Sequence, residues 1–147
     1  MPTAGRLAAA VLFAALGWYV SQLIMAQMDE GTQPVWYAEI NALIGVAMGW
    51  TVAGSRARGP WMAAVSYGLT ATIAMVFWII FLHSFVQMIK NSMRGSYGSN
   101  PSNALVDVFR LMMDTGALMS TSVIITTLLG GGILAGLVTE YVARRNN

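Results

Sequence analysis

The sequence predicts an all-α, polytopic membrane protein: a four-transmembrane-helix bundle with a short amphipathic helix on its outer side. Three observations lead there. Only 10% of the 147 residues are Asp, Glu, Lys or Arg, where a soluble domain carries about 25%. These charges sit in the gaps between long uncharged segments, with 22 residues between Arg6 and Asp29, 16 between Glu39 and Arg56, 31 between Arg58 and Lys90, and 25 between Asp114 and Glu140. A hydrocarbon core about 30 Å thick takes roughly 20 apolar residues of helix, and each segment reaches or approaches that length. The chain has room for a single membrane domain, residues 1–147, with short loops.

The first span is expected over residues 7–27. Arg6 and the apolar run 7–18 resemble the start of a secretory signal, but cleavage after Ala26 would put Ile24 where a small residue is expected. The apolar run also continues to Met28, so the segment is read as a retained helix. The second span, 38–54, is short and fits with little tilt or with local thinning of the bilayer. The third, 60–89, is long: 31 uncharged residues of helix cover about 46 Å. Projection beyond the outer leaflet is favoured over tilt, because Gln87, Lys90 and Arg94 begin to recur at helical spacing. After the turn-rich stretch 94–100, Asn100 and Pro101 supply a cap and a first position for an outer helix, 101–116. Leu105, Val108, Phe109, Met112 and Gly116 share one of its faces, and Asp107, Arg110 and Asp114 share the other as a solvated charged face. Such a helix lies in the interface or covers the mouth of the bundle. The fourth span is expected over 120–143.

Charge also orients the chain. Arg6, Arg56, Arg58, Arg144 and Arg145 fall on one side, and Lys90, Arg94 and Arg110 on the other. By the positive-inside rule both termini are cytoplasmic. In a bacterium this is an inner-membrane protein whose outer side faces the periplasm. Trp61, Trp36 and Tyr37 stand at span ends, where amphipathic rings favour the headgroup layer.

Association of helices in lipid depends on close backbone approach. Asn41, Gly45, Gly49 and Ala53 form a ridge of small residues on the second span; Ala64, Gly68 and Thr72 do so on the third, and Ala10, Ala14 and Gly17 on the first. The fourth carries Gly130, Gly131, Gly132 and Gly136. These faces serve packing within the chain, or docking of a second copy or another membrane protein. The lipid bilayer is the other expected partner. The short arginine clusters read as topology signals, so no nucleic acid is expected.

Chemistry has few candidates. There is no cysteine and one histidine, which excludes thiolate metal sites, iron–sulfur clusters and a haem held by two histidines of one chain. No phosphate-binding glycine loop, nucleophile elbow or HExxH pair occurs. No catalytic residue, cofactor or metal is expected. Glu39 and His83 fall at similar depth near the outer boundary, in one layer with Asn41, Gln87, Ser21 and Gln22. Glu39, Asn41, His83 and Gln87 form a possible outer-face polar site, read either as a clasp between spans two and three or as a ligand or proton site. A carboxylate beside the imidazole would favour imidazolium. Glu140 pairs with Arg144 at i+4 in the favourable order, with Arg6 and Arg56 as further partners. The eleven methionines are scattered and read as adaptable packing.

The opening MPTAGRLAAAVLFAALGW, the block EINALIGVAMGWTVAGSRARG, the run VFWIIF and the ending GGILAGLVTEYVARR resemble the TrgA family, small integral membrane proteins of alphaproteobacteria associated with tellurite resistance. The resemblance implies a non-enzymatic inner-membrane protein contributing indirectly to oxyanion tolerance, without established catalytic residues. No Arg or Lys lies inside a span, as export of a dianion would want. The alternative reading is an accessory or assembly subunit of a larger respiratory or photosynthetic complex. A small proton-coupled transporter using Glu39 and His83 ranks third.

Overall fold

The computed structural model describes residues 3–146, and among these every regular element is helical. Helix α1, Ala4–Met25, starts behind Thr3, whose hydroxyl accepts the Arg6 N–H and satisfies one of the free donors of the first turn. Helix α2, Tyr37–Met48, runs on through a five-residue π-helix, Gly49–Ala53, and a 3₁₀ turn, Gly54–Arg56. Helix α3, Trp61–Met93, follows the extended Pro60, and α4, Pro101–Met119, has its proline in the first turn. Helix α5 covers Ser122–Arg145, with Arg144 and Arg145 facing the negative end of its dipole.

The second span differs most from expectation. It is α-helical only to Met48, so among the described residues the helices long and apolar enough to cross a membrane are three: Ala4–Met25, Trp61–Met93 and Ser122–Arg145. The cause is contact with α1. The Gly54 N–H bonds to the Gly49 carbonyl in a widened turn, and Gly49, Ala53 and Gly54 are all buried. A side chain on Gly49 would run into the Ala9 carbonyl, and one on Gly54 into the Arg6 backbone. A regular α-helix would rotate one of these three away from α1. The other bounds move by a few residues: α3 extends to Met93 rather than 89, and α4 to Met119 rather than 116.

Helices α1, α2, α3 and α5 each pack against two of the others, α1 between α2 and α5, and α3 between α2 and α5, while α4 lies on α3. Phe13, Val20 and Ile24 of α1, Met75 and Ile79 of α3, and Ile124 of α5 are fully buried between them. Two seams bring backbones together. On α2, Asn41, Gly45, Gly49 and Ala53 face inward, with Gly45 against the Phe13 carbonyl. Between α3 and α5, Ala64 and Gly68 meet Gly132 and Gly136, where a methyl group on Gly136 would strike the Ala64 carbonyl. Gly130 faces open space.

Helix α4 divides its surface differently from the two-sided pattern expected. Val108 and Met119 are buried, whereas Leu105, Phe109 and Met113 are exposed, so the apolar stripe is split between the helical body and the outside. Asp107 is not merely solvated: it accepts the Tyr97 hydroxyl and the Asn91 side-chain amide, at 3.2 Å for the latter. These bonds tie the first turns of α4 to the end of α3 and to the connection between them.

Candidate functional site

At the end of the helices that carries α4, polar side chains form a directed chain of hydrogen bonds. The Ser21 hydroxyl donates to the Gly17 carbonyl at 2.6 Å, and Asn41 Nδ2 donates to Ser21 Oγ at 2.8 Å. The Asn41 Oδ1 then lies 2.7 Å from His83 Nε2. The direction is set from the far end. A carbonyl only accepts, so Ser21 gives it its single proton and takes one from the Asn41 amide. That leaves the Asn41 oxygen facing the imidazole, and His83 Nε2 must carry a hydrogen. The neutral ring is therefore the Nε2–H tautomer. The Tyr37 ring lies against His83 with centroids 4.2 Å apart and the two planes tilted by 31°, which restricts the imidazole. Asn41 and Ser21 are fully buried, which makes each of these bonds expensive to break.

A cavity of about 310 Å³ adjoins this network, with Tyr37 and His83 in its wall. Ser84, Leu111 and Leu118 line it too, and Lys90 supplies a positive charge. Among the described residues no group meets the buried Ser84 Oγ at hydrogen-bonding geometry, and the buried Tyr37 hydroxyl faces the Asn41 side chain without closing a full bond to it. Gln87 also borders the cavity, but its amide nitrogen donates to Asn91 Oδ1 at 3.1 Å.

Glu39 takes no part. It is exposed on α2, and the described residues give it neither an ion pair nor a hydrogen bond. The expected carboxylate–imidazole pair is replaced by Asn41 and His83. The reason is geometric: residues two apart on a helix point about 200° away from each other. Glu39 and Asn41 share a depth but not a direction.

The opposite end, where α1 begins and α5 finishes, holds a second polar cluster. Glu140 is fully buried, and its Oε1 accepts from Arg144 Nε at 2.7 Å. Its Oε2 accepts the Arg58 backbone N–H at 2.7 Å and the Tyr67 hydroxyl at 2.8 Å. Arg144 also reaches the Gly59 carbonyl at 2.5 Å and lies over the Trp61 ring. Arg58 has a φ of 84°, a left-handed conformation uncommon outside glycine, and in it the amide is aimed at the carboxylate. The expected local pair is thus one part of a clamp joining α5, α3 and the loop between them and α2. Arg6 and Arg56 are not its partners. Nothing in the local sequence marked Tyr67 or the Arg58 amide, and only the position of Tyr67 beside the Ala64/Gly68 ridge hinted that its hydroxyl faces a neighbour.

Among the described residues no three His, Cys, Asp or Glu side chains come together as a metal would need. Comparison with protein families, curated proteins and solved structures gives no match for this chain.

Proposed function

We propose that this chain is a non-enzymatic bacterial inner-membrane protein of the TrgA type, crossing the bilayer four times with both ends in the cytoplasm. It contributes to tellurite tolerance indirectly, in concert with other membrane components. The observation that carries the membrane reading is the inverted polarity of the helices. Val11, Ile73, Phe77, Trp78, Leu129 and Leu134 point outward, while Ser21, Asn41, Thr139 and Glu140 are inside. Water on the outward faces would make that arrangement costly, and lipid makes it favourable. The fourth crossing is the helical run from Tyr37 through Arg56, about 30 Å along its axis if measured at α-helical rise.

Indirect action fits the side chains available. Apart from Thr72, whose hydroxyl is held by the Gly68 carbonyl, the buried polar groups stand towards the two ends of the helices, and the cations lie at helix ends, in loops or on α4, so no charged path leads a dianion through the middle. Deleting the gene should lower tellurite tolerance, and vesicles containing this protein alone should move no more tellurite than empty ones. Transport by those vesicles, or unchanged tolerance in the deletion strain, overturns the reading.

A second reading, an accessory subunit of a larger membrane complex, draws on one feature: Leu105, Phe109 and Met113 form an exposed apolar stripe on α4. Gentle purification from native membranes separates the two. Stoichiometric co-migration with one large complex supports the subunit reading, and a solitary monomer or homodimer removes it.

A further inference from the structure

We propose that a cavity at the end where α1 begins and α5 finishes holds the phosphate of one anionic phospholipid. The inference rests on the membrane reading above and is independent of the link to tellurite. The cavity measures about 480 Å³ and opens between the start of α1 and the turns that follow α2. Arg6 and Arg58 both line it, and no carboxylate does. Among the described residues the one ion pair is that of Glu140 with Arg144, so neither guanidinium in the wall is neutralised. Glu140 takes only the backbone amide of Arg58.

Both arginines start from fixed points. The Arg6 stem lies on Gly54, where a Cβ would come within 2.9 Å of Arg6 Cγ. Gly54 follows the π-helical stretch Gly49–Ala53, a distortion frequent at functional sites. The Arg58 backbone is held in its left-handed conformation by the bond to Glu140. Thr3 adds a donor, because its oxygen accepts the Arg6 N–H and its own hydrogen is left free. Two permanent positive charges and a hydroxyl suit a phosphate. A zwitterionic head is disfavoured, since no acidic side chain in the wall receives its ammonium. Depth favours a lipid over a soluble anion: Trp61, under the Arg144 guanidinium at this same end and 47% exposed, marks the headgroup layer. Basic pockets between helices at that level take anionic heads.

Native mass spectrometry of the full chain in neutral detergent, titrated with dioleoyl phosphatidylglycerol or dioleoyl phosphatidylcholine, tests this. One phosphatidylglycerol should be retained per chain, about twentyfold tighter than phosphatidylcholine, the order of two arginines beside an anionic head. Arg6→Gln and Arg58→Gly should each lower that preference about fivefold, and glycine at 58 keeps the left-handed backbone without strain. Arg145→Gln, outside the cavity, should leave it unchanged. Equal retention of the two lipids, or a loss with Arg145→Gln as large as with Arg6→Gln, overturns the proposal. Displacement of the lipid by millimolar inorganic phosphate would give the cavity to a soluble anion and overturns it too. Flotation of the chain with phosphatidylcholine vesicles checks the membrane reading separately. A chain that floats but shows no preference removes this inference alone, and one that does not float removes both.

Discussion

Asn41 accepts a 2.7 Å hydrogen bond from His83, 42 positions further along the chain, and this bond ties α2 to α3. Because Ser21 and Gly17 complete the chain behind Asn41, the imidazole proton is assigned to Nε2. Nitrogen NMR of the histidine-labelled protein should therefore show the Nε2–H tautomer. Asn41→Leu should leave that N–H unpaired and cost about 1–3 kcal/mol of stability. A ring protonated at Nδ1 alone would refute the assignment.

The two glycine environments on α5 should separate cleanly. A methyl on Gly132 would collide with the Thr72 hydroxyl, which is itself held by the Gly68 carbonyl at 2.9 Å. Gly132→Ala must push α3 and α5 apart, at about 1–3 kcal/mol. Gly130 has nothing within 4 Å, so Gly130→Ala should be neutral or stabilise by up to about 1 kcal/mol through helix propensity. Thermal unfolding in detergent compares them, and equal effects would show that the α3–α5 seam is not closely packed.

Glu140 and Arg144 are bonded to each other but should not be equivalent. Glu140→Ala strips the Tyr67 hydroxyl and the Arg58 amide of their carboxylate, at about 1–3 kcal/mol for a buried donor left unpaired. Arg144 is 45% exposed, and water can replace much of what it supplies, so Arg144→Ala should cost about 1 kcal/mol or less. The same unfolding assay ranks them. A larger loss for Arg144→Ala would reverse the assignment of Glu140 as the centre of the clamp.

Asp107 gives the pH dependence. The Tyr97 hydroxyl, and then the Asn91 amide and Arg110, hold its carboxyl below the usual range against a smaller opposing effect of burial. A depressed native value means that its contribution is complete above the unfolded value of 3.8, and fades as pH falls through the lower native one. The α3–α4 connection should therefore be intact at pH 5 and loosen only below that window. Tyr97→Phe should raise the Asp107 titration toward 3.8, read by carboxyl-carbon NMR. An unchanged midpoint would remove Tyr97 as the cause.

The helices were legible because charge exclusion and close packing both act on residue type. Charge exclusion located the long segments, and the four-residue spacing of Asn41, Gly45, Gly49 and Ala53 located the buried face of α2. The widened turn at Gly49 was not legible, because it answers to the α1 backbone and not to its own neighbours. The same limit explains the site. Depth along a helix placed Glu39, Asn41 and His83 in one layer, but direction around the helix decided that Asn41 meets His83. The cavity draws Tyr37 from α2, Ser84 from α3 and Leu111 from α4, so no local motif announces it.

Synthesis of the chain meets the Glu140 clamp in an awkward order. The Arg58 amide and the Tyr67 hydroxyl emerge 82 and 73 positions before the carboxylate that satisfies them. Until the last helix is in place, the left-handed residue at 58 has no anchor, and the seam offered by Gly68 stays open. The C-terminal segment is therefore a latch: a nascent chain halted before Ser122 should be an easy prey for proteases.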